Sequence, residues 1–175
     1  MASKDPFLRY GVTTFYHFTD RRNLPLIRKH GGLYSLAKIG ERDIQVPALG
    51  GNDWSHEADE RKGLDRYVHL CFRPNHPMLF RAIQENRIEV PIYLEVHPNI
   101  LKVDGVMFTP DVSNKAGVDV YTIDQAYKMI DFEVLYTRTN WKDSAIQERL
   151  KQAEKCELLI PDHVPLDLIR NFPHG

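Results

Sequence analysis

The sequence predicts a single domain of the α+β class, and two observations support that prediction. The chain has 175 residues, 42% of them hydrophobic, which is enough for one core and too little for two comfortable ones. Segments with strand character and segments with helix character follow one another irregularly, whereas a doubly wound parallel sheet needs regular alternation. We therefore expect one domain over residues 1–175, with residues 1–10 as a flexible N-terminus.

Five segments rich in β-branched, aromatic and other apolar residues predict strands. They are residues 15–19, 67–72, 90–96, 106–109 and 156–160. Four further segments predict helices, namely residues 24–30, 78–86, 123–130 and 145–155. For residues 132–136, strand and helix both stay open, because periodicity alone does not separate the two in a short apolar run.

Residues 33–65 show little periodicity, since glycines and a proline interrupt them and only weak helical character follows Trp54. Loops of this length without regular structure are uncommon in compact domains and are usually lids or binding loops. We therefore expect a long, partly mobile surface segment with a functional role.

The charge balance excludes bulk electrostatics as the basis of nucleic-acid binding. The chain has 23 basic and 24 acidic residues, whereas a protein that holds duplex DNA by counterion release usually has a strong positive excess. A local basic groove is compatible with this composition. The 2 cysteines and 8 histidines lack the spacing of metal or redox motifs, so we expect buried, reduced thiols and no metal site.

The N-terminal residues contain no apolar stretch of signal-peptide length, and no window reaches the roughly 18 apolar residues of a membrane span. We therefore expect a cytoplasmic protein without a membrane partner. No P-loop, G-x-G-x-x-G or G-x-S-x-G motif occurs, so none of these phosphate-binding or hydrolase motifs identifies a function.

Two polar residues interrupt predicted strands and are candidates for chemistry. Glu157 lies in an otherwise apolar strand, where a carboxylate is costly unless it is paired, hydrogen-bonded or facing a cleft. His17 lies between two aromatic residues, and Thr19 follows on the same side of its strand. The competing interpretations are a solvated strand edge for Glu157 and a core or rim histidine for His17.

Four short blocks of the sequence carry a family resemblance. They are Tyr16-His17-Phe18-Thr19 with Asn23-Leu24 and Gly31-Gly32-Leu33, Tyr67-Val68 with Phe72 and Pro77-Met78-Leu79, Ile130-Asp131-Phe132-Glu133 to Trp141, and Lys151-Gln152-Ala153-Glu154 with Glu157-Leu158-Leu159-Ile160 and Pro165. In this order, over roughly residues 15–170, the chain resembles the DarT family of toxins that modify DNA.

The resemblance implies an ADP-ribosyltransferase fold, in which two small packed β-sheets with a cleft for NAD are surrounded by short helices. It implies transfer of ADP-ribose from NAD, the co-substrate, to a base of single-stranded DNA, with release of nicotinamide, and an antitoxin protein as partner. Transfer to RNA or protein, and a non-catalytic nucleic-acid-binding domain, are the alternatives. The target base is not readable from the sequence.

The resemblance also implies roles for individual residues. Glu157 is the expected catalytic carboxylate, because its spacing to Pro165 fits the family without a gap, whereas Glu154 would need an insertion. His17, Phe18, Thr19, Asn23 and Leu24 are the expected cofactor-binding residues. Arg61 is expected to meet the phosphates of the cofactor and to assist catalysis, with Arg42 and Arg66 as alternatives. The acceptor is expected near residues 110–117 and Trp141.

Overall fold

The computed structural model describes residues 5–173, with the side chains of residues 53 and 54 excepted. The strands are β1 (Phe15–Asp20), β2 (Gly32–Tyr34), β3 (Tyr67–Cys71), β4 (Pro91–Val96), β5 (Met107–Thr109), β6 (Tyr121–Thr122), β7 (Glu157–Pro161) and β8 (His163–Pro165). The helices are α1 (Pro6–Arg9), α2 (Leu24–His30), α3 (Leu36–Glu41), α4 (Asp53–Lys62), α5 (Pro77–Gln84), α6 (Ala126–Met129), α7 (Phe132–Tyr136) and α8 (Ser144–Ala153).

The strands form two antiparallel sheets of unequal size. The main sheet has six strands in the order β4-β1-β3-β7-β5-β6, and β2 pairs with β8 in a second, two-stranded sheet. The small sheet contacts the main sheet at β3. The predicted α+β class with two packed sheets is confirmed. The two sheets differ in size, however, since one has six strands and the other has two, whereas two small sheets were expected.

The two faces of β7 lie in different environments: one packs into the hydrophobic core and the other carries Glu157. Leu158 and Ile160 are fully buried and belong to the main hydrophobic core, together with Leu70 of the neighbouring strand. Because side chains alternate along a strand, Glu157 points to the opposite face. Its cross-strand neighbours are Cys71 on β3 and Thr109 on β5. The core therefore fixes the strand that carries the carboxylate.

The predicted sequence of strand, cap and helix at residues 15–30 is confirmed. The side chain of Asp20 accepts a hydrogen bond from the backbone N of Arg22, and its carboxylate also pairs with the Arg22 guanidinium at 3.0 Å. Helix α2 ends at Gly31, which has φ +78°, a conformation that glycine adopts without strain. At Gly32 a Cβ would lie 2.1 Å from the carbonyl oxygen of Val164, so the close pairing of β2 with β8 requires glycine.

The structure differs from the expectations for two segments of the chain. Residues 6–9, which were expected to belong to a flexible N-terminus, form α1, and the buried Phe7 packs edge-on against Phe15 and Phe132. Residues 1–4 lie outside the described part of the chain. Residues 33–65 contain α3 and α4, since Ser35 and Asn52 cap these helices, and are not a continuous irregular loop.

Residues 132–136, for which strand and helix were open, form α7. The side chain of Asp131 accepts from the backbone N of Val134 and caps the helix, which a strand could not use. The short strands β2, β6 and β8 were not predicted, because two or three residues give no periodic signal. Within residues 5–173, no helix has the length and apolar character that crossing a membrane requires.

Candidate active site

A cavity of about 250 Å³ opens between the main sheet, the small sheet and helices α2, α3 and α4. Its lining combines many apolar side chains with a few polar groups, which is the usual composition of a small-molecule site. Its polar lining residues include His17, Thr19, Asn23, Ser55, Asp59, His69, Ser113 and Glu157. The cavity therefore joins the first strand of the chain to the carboxylate near its C-terminus.

Glu157 lies in the wall of this cavity, with 7% of its side chain exposed. Its Oε2 accepts hydrogen bonds from the Nδ1 of His69 at 3.1 Å and from the backbone N of Ser113 at 3.2 Å. The Nε2 of His76 lies 3.3 Å from Oε1. The buried carboxylate is thus surrounded by donors, which is the condition that makes its burial tolerable.

Burial alone would raise the pKa of Glu157, because it disfavours the charged form. The hydrogen bond and charge of His69 outweigh that effect, with further lowering by His76 and Ser113, and the pKa of Glu157 is lowered to about 2. The carboxylate is therefore ionised at neutral pH.

His69 is the cationic partner of Glu157. Its Nδ1 donates to Glu157, and its Nε2 donates to the carbonyl oxygen of Leu64 at 3.3 Å, so both ring nitrogens carry hydrogen. Burial lowers the pKa of His69, but the hydrogen bond and charge of Glu157 and the charge of Asp59 raise it to about 9. His69 is therefore an imidazolium, and it forms a partly buried ion pair with Glu157.

His76 has a different protonation state. Its Nδ1 accepts a hydrogen bond from the backbone N of Met78 at 3.3 Å, where it caps α5. Burial lowers the pKa of His76, so the ring is neutral and its hydrogen is on Nε2, facing Glu157. This last contact is short but not aligned as a hydrogen bond.

His17 lies in the cavity wall beside the carbonyl of His69, to which its Nδ1 donates at 3.0 Å. Strands β1 and β3 pair with Tyr16 opposite Cys71, which brings His17 and His69 into neighbouring strands near that position. Burial lowers the pKa of His17, so the ring is neutral. A neutral ring that donates through Nδ1 has Nε2 as an acceptor, which suits a ligand hydroxyl.

Thr19 and Asn23 form a second polar corner of the cavity. The Nδ2 of Asn23 donates to Thr19 Oγ1 at 3.0 Å and to the carbonyl oxygen of Ala48 at 2.6 Å, and its Oδ1 accepts from the backbone N of Ala48 at 3.0 Å. The main contribution of Asn23 is therefore to fix the segment around Ala48 as a wall of the cavity.

The other predicted cofactor-binding residues differ in position. Phe18 lines the cavity and stacks on His76, with 6.1 Å between ring centroids. Leu24 packs against the main core and, within the described residues, does not line the cavity, so its predicted contact with the cofactor is not supported. Leu26 and Ile27 of the same helix line it instead, because α2 turns them inward.

The structure does not bring Arg61 to the cavity. Its side chain is exposed on α4, and its Nε donates to the carbonyl oxygen of Glu57 in the same helix. Arg66 is also exposed and, like Arg61, is absent from the described lining residues. Arg42 is better placed, since its guanidinium lies 4.4 Å from the ring centroid of Tyr34 and donates to its hydroxyl at 3.2 Å. Tyr34 lines the cavity, so Arg42 is at its rim.

Glu154, the alternative carboxylate, occupies another environment. It ends α8, where its Oε2 accepts from the Nδ2 of Asn75 at 2.7 Å and its Oε1 lies 3.9 Å from Arg73. It is not among the described residues that line the cavity. Of the two glutamates, only Glu157 is in a position to meet a ligand there.

Sequence reasoning missed His69, His76, Ser113 and Asp59. Only strand pairing connects His69 with Glu157: Cys71 is opposite Glu157, and His69, two residues earlier, shares that face. The predicted loop at residues 110–117 supplies Ser113 to this cluster. Trp141 is 69% exposed, and the Nζ of Lys142 lies 5.5 Å from its ring centroid.

Comparison with known proteins identifies the family. The family model described as DarT, ssDNA thymidine ADP-ribosyltransferase, matches residues 16–172. No curated protein sequence gives a significant match.

Solved structures agree in fold. DarT from Thermus sp. 2.9 in complex with ADP-ribosylated ssDNA is 20% identical, with a TM-score of 0.67 over 91% of this chain and 79% of that chain. DarTG from Thermosipho africanus in complex with ADP-ribose is 22% identical, with a TM-score of 0.67 over 90% of this chain and 42% of that chain. The Thermus protein in complex with NAD+ is 20% identical, with a TM-score of 0.57 over 91% of this chain and 80% of that chain.

These matches confirm the predicted resemblance and the ADP-ribosyltransferase fold. The family model covers nearly the whole chain, so the predicted enzyme class, an NAD-dependent ADP-ribosyltransferase, is confirmed. The chain belongs to the DarT family of single-stranded DNA ADP-ribosyltransferases.

Proposed function

We propose that this chain transfers ADP-ribose from NAD to thymidine in single-stranded DNA, with Glu157 as the catalytic carboxylate. The observation that carries the proposal is an ionised carboxylate in the wall of a cavity that also contains His17. Family membership supports the acceptor, since the family description names thymidine in ssDNA. Solved family members in complex with NAD+ and with ADP-ribosylated ssDNA support both substrates.

The chemistry requires a fixed negative charge near the ribose. As nicotinamide leaves, positive charge develops on the ribose carbon, and a carboxylate stabilises that charge more in the transition state than in the ground state. A carboxylate offers about four lone-pair positions. His69, Ser113 and His76 occupy three directions around Glu157, which leaves capacity for a ribose hydroxyl.

The remaining cavity residues suit a dinucleotide. The Nε2 of His17 is an acceptor for a hydroxyl of the adenosine ribose, and the rings of Phe18 and Tyr34 offer flat apolar surfaces. Arg42 replaces Arg61 as the proposed partner of the diphosphate, because its guanidinium is already held over Tyr34 at the cavity rim. A guanidinium forms strong, charge-assisted hydrogen bonds with phosphate oxygens.

Single-stranded DNA suits this protein as acceptor, because its bases need not be pulled from a duplex. The nearly balanced charge of the chain also argues against tight binding to long duplex DNA. The proposal includes a cytoplasmic setting, where both substrates occur, and an antitoxin protein as partner. The Thermosipho africanus relative named DarTG supports the latter.

The test is ADP-ribosylation by wild type and Glu157→Gln, with labelled NAD and a panel of single-stranded oligonucleotides, and mass spectrometry of the acceptor. We expect labelling of thymidine by wild type and a loss of ~100-fold or more in the variant, as for other main electrostatic groups. Glu154→Gln is the matched control and should retain labelling, since Glu154 contacts Asn75 and not the cavity. An unchanged rate in Glu157→Gln would reject the assignment. Labelling of RNA or protein alone would reject the acceptor.

A further inference from the structure

The cavity lining contains a buried carboxylate oxygen, on Asp59, that the proposed mechanism does not use. Asp59 projects from α4 and lines the same cavity as Glu157. Its Oδ1 is buried and, within the described part of the chain, has no hydrogen-bond partner. Buried polar atoms are normally hydrogen-bonded, so an unpartnered carboxylate oxygen beside a substrate cavity requires an explanation.

The surroundings of Asp59 differ from those of Glu157. The charged groups that act on it are His69, Glu157, Lys62 and Asp65. Burial raises its pKa, and the charges of Glu157 and Asp65 add to that effect, whereas His69 and Lys62 lower it. The net result is a pKa of about 6. The cavity lining contains the carboxylates of Asp59, Asp65 and Glu157. The pKa values of Asp59 and Glu157 are driven apart by their environments, which indicates different roles for these two groups.

Transfer to a pyrimidine ring nitrogen needs a proton acceptor. When the ring N–H of thymine attacks, the electron pair of the N–H bond forms the new bond to the ribose carbon. The bond from that carbon to nicotinamide breaks, and its electron pair leaves with nicotinamide. The proton of the attacking N–H must go to a base close to the acceptor, and a base with a pKa near the working pH is the most effective.

The groups in contact with Glu157, and Glu157 itself, are poorly suited to take this proton. Glu157 has a pKa of about 2 and is a weak base. Both ring nitrogens of His69 already carry hydrogen. The Nδ1 of His76 already accepts a hydrogen bond from the backbone N of Met78. Burial raises the pKa of Cys71, so its sulfur is a neutral thiol. Of Asp59 and Glu157, Asp59 is the carboxylate whose proton affinity fits the task, and its buried Oδ1 has no hydrogen-bond partner among the described residues.

On the basis of the proposed function, we propose that Asp59 contacts the acceptor base and accepts the proton of its ring N–H. The contact also selects the acceptor. Thymine and guanine have a ring N–H that a carboxylate can bind, whereas the free ring nitrogens of adenine and cytosine carry no hydrogen and would face the carboxylate with a lone pair. Asp59 thus restricts transfer to bases with an acidic ring N–H.

The first test compares wild type with Asp59→Asn, which keeps the shape of the side chain and removes the base. Labelling of a thymidine-containing single-stranded oligonucleotide should fall ~100-fold, the usual contribution of a general base. The NAD affinity, measured by calorimetry, should change less than about twofold. The wild-type rate should fall as pH decreases through about 6, and this decrease should be absent in Asp59→Asn. Glu60→Gln, an exposed neighbour on α4, should behave as wild type.

The second test separates proton transfer from a structural role. An oligonucleotide with 5-bromouracil in place of thymine keeps the size of the methyl group but has a more acidic ring N–H, so it depends less on a base. The defect of Asp59→Asn should therefore shrink by about tenfold with this substrate. An equal defect with both substrates would overturn the proposal.

The outcomes distinguish the two proposals. Normal labelling by Asp59→Asn together with inactive Glu157→Gln would refute the role of Asp59 alone. Normal labelling by Glu157→Gln would instead refute the proposed function.

Discussion

The ion pair between His69 and Glu157 should make the free energy of unfolding depend on pH, and the substitution His69→Gln should remove the part of that dependence that comes from His69. The pKa of His69 in the folded protein, about 9, lies above its ordinary value of 6.5. Its contribution is therefore complete below pH 6.5 and lost as pH rises through 9. The pKa of Glu157, about 2, lies below its ordinary value of 4.5, so its contribution is complete above pH 4.5 and lost as pH falls through 2.

The magnitude follows from these values. A rise of the His69 pKa from 6.5 to about 9 corresponds to about 3 kcal/mol of free energy of unfolding. Because 27% of the His69 side chain is exposed, solvent screening reduces this, and we expect about 2 to 3 kcal/mol. Wild type should lose this amount between about pH 6 and about pH 9. The pKa shifts of His69 and Glu157 arise from the same interaction, so their free energies must not be added.

The assay is urea unfolding of wild type, His69→Gln, Glu157→Gln and the double variant at both pH values. His69→Gln should lose about 3 kcal/mol near pH 6, because it leaves Glu157 as a buried charge without its cation. The double variant should recover much of that loss, since the charge is then absent. The reasoning is refuted if His69→Gln shows the same pH dependence as wild type, or if the double-mutant cycle gives no coupling.

Two further predictions concern other cavity residues. Arg42→Ala should weaken NAD binding by about tenfold, the loss of one charge-assisted contact, whereas Arg61→Ala should leave it unchanged, as calorimetry can determine. Equal effects would contradict the choice of Arg42. Asp59→Asn should raise the free energy of unfolding by about 1 to 2 kcal/mol above pH 6, because the raised pKa of Asp59 means that ionisation costs stability, after allowance for partial exposure. Below about pH 4 the gain should vanish, and a constant gain at all pH values would contradict the titration.

The sequence alone was enough to predict most strands and helices that have a strong local signal. Residues 15–30 and 156–160 carry β-branched, aromatic and capping residues whose preferences act within a few positions, and the structure forms β1, α2 and β7 there. The short strands β2 and β8 exist because two distant segments pair, with Gly32 allowing the close approach. Such pairing leaves no periodic pattern in either segment.

The same distinction applies to the candidate site. Glu157 and His17 are recognisable from the local sequence alone, because a carboxylate is unusual in an apolar strand and a histidine is unusual in an aromatic one. Their roles stay proposals, but the cavity contains both. The choice among the arginines had no local signal in the sequence, because an exposed guanidinium carries no pattern in neighbouring residues. In the structure Arg61 is exposed on α4, whereas Arg42 lies over Tyr34.

Local sequence therefore determined which segments form strands and helices, and which polar side chains would be costly inside them. Tertiary structure alone decided the charges. The register that aligns Cys71 with Glu157 brings His69 onto the same face. The contact between His69 and Glu157 is the main interaction that raises the pKa of His69 and lowers the pKa of Glu157. The physical reason is that pKa values depend on burial and on partners within a few ångströms, and those partners are 88 residues apart in the chain.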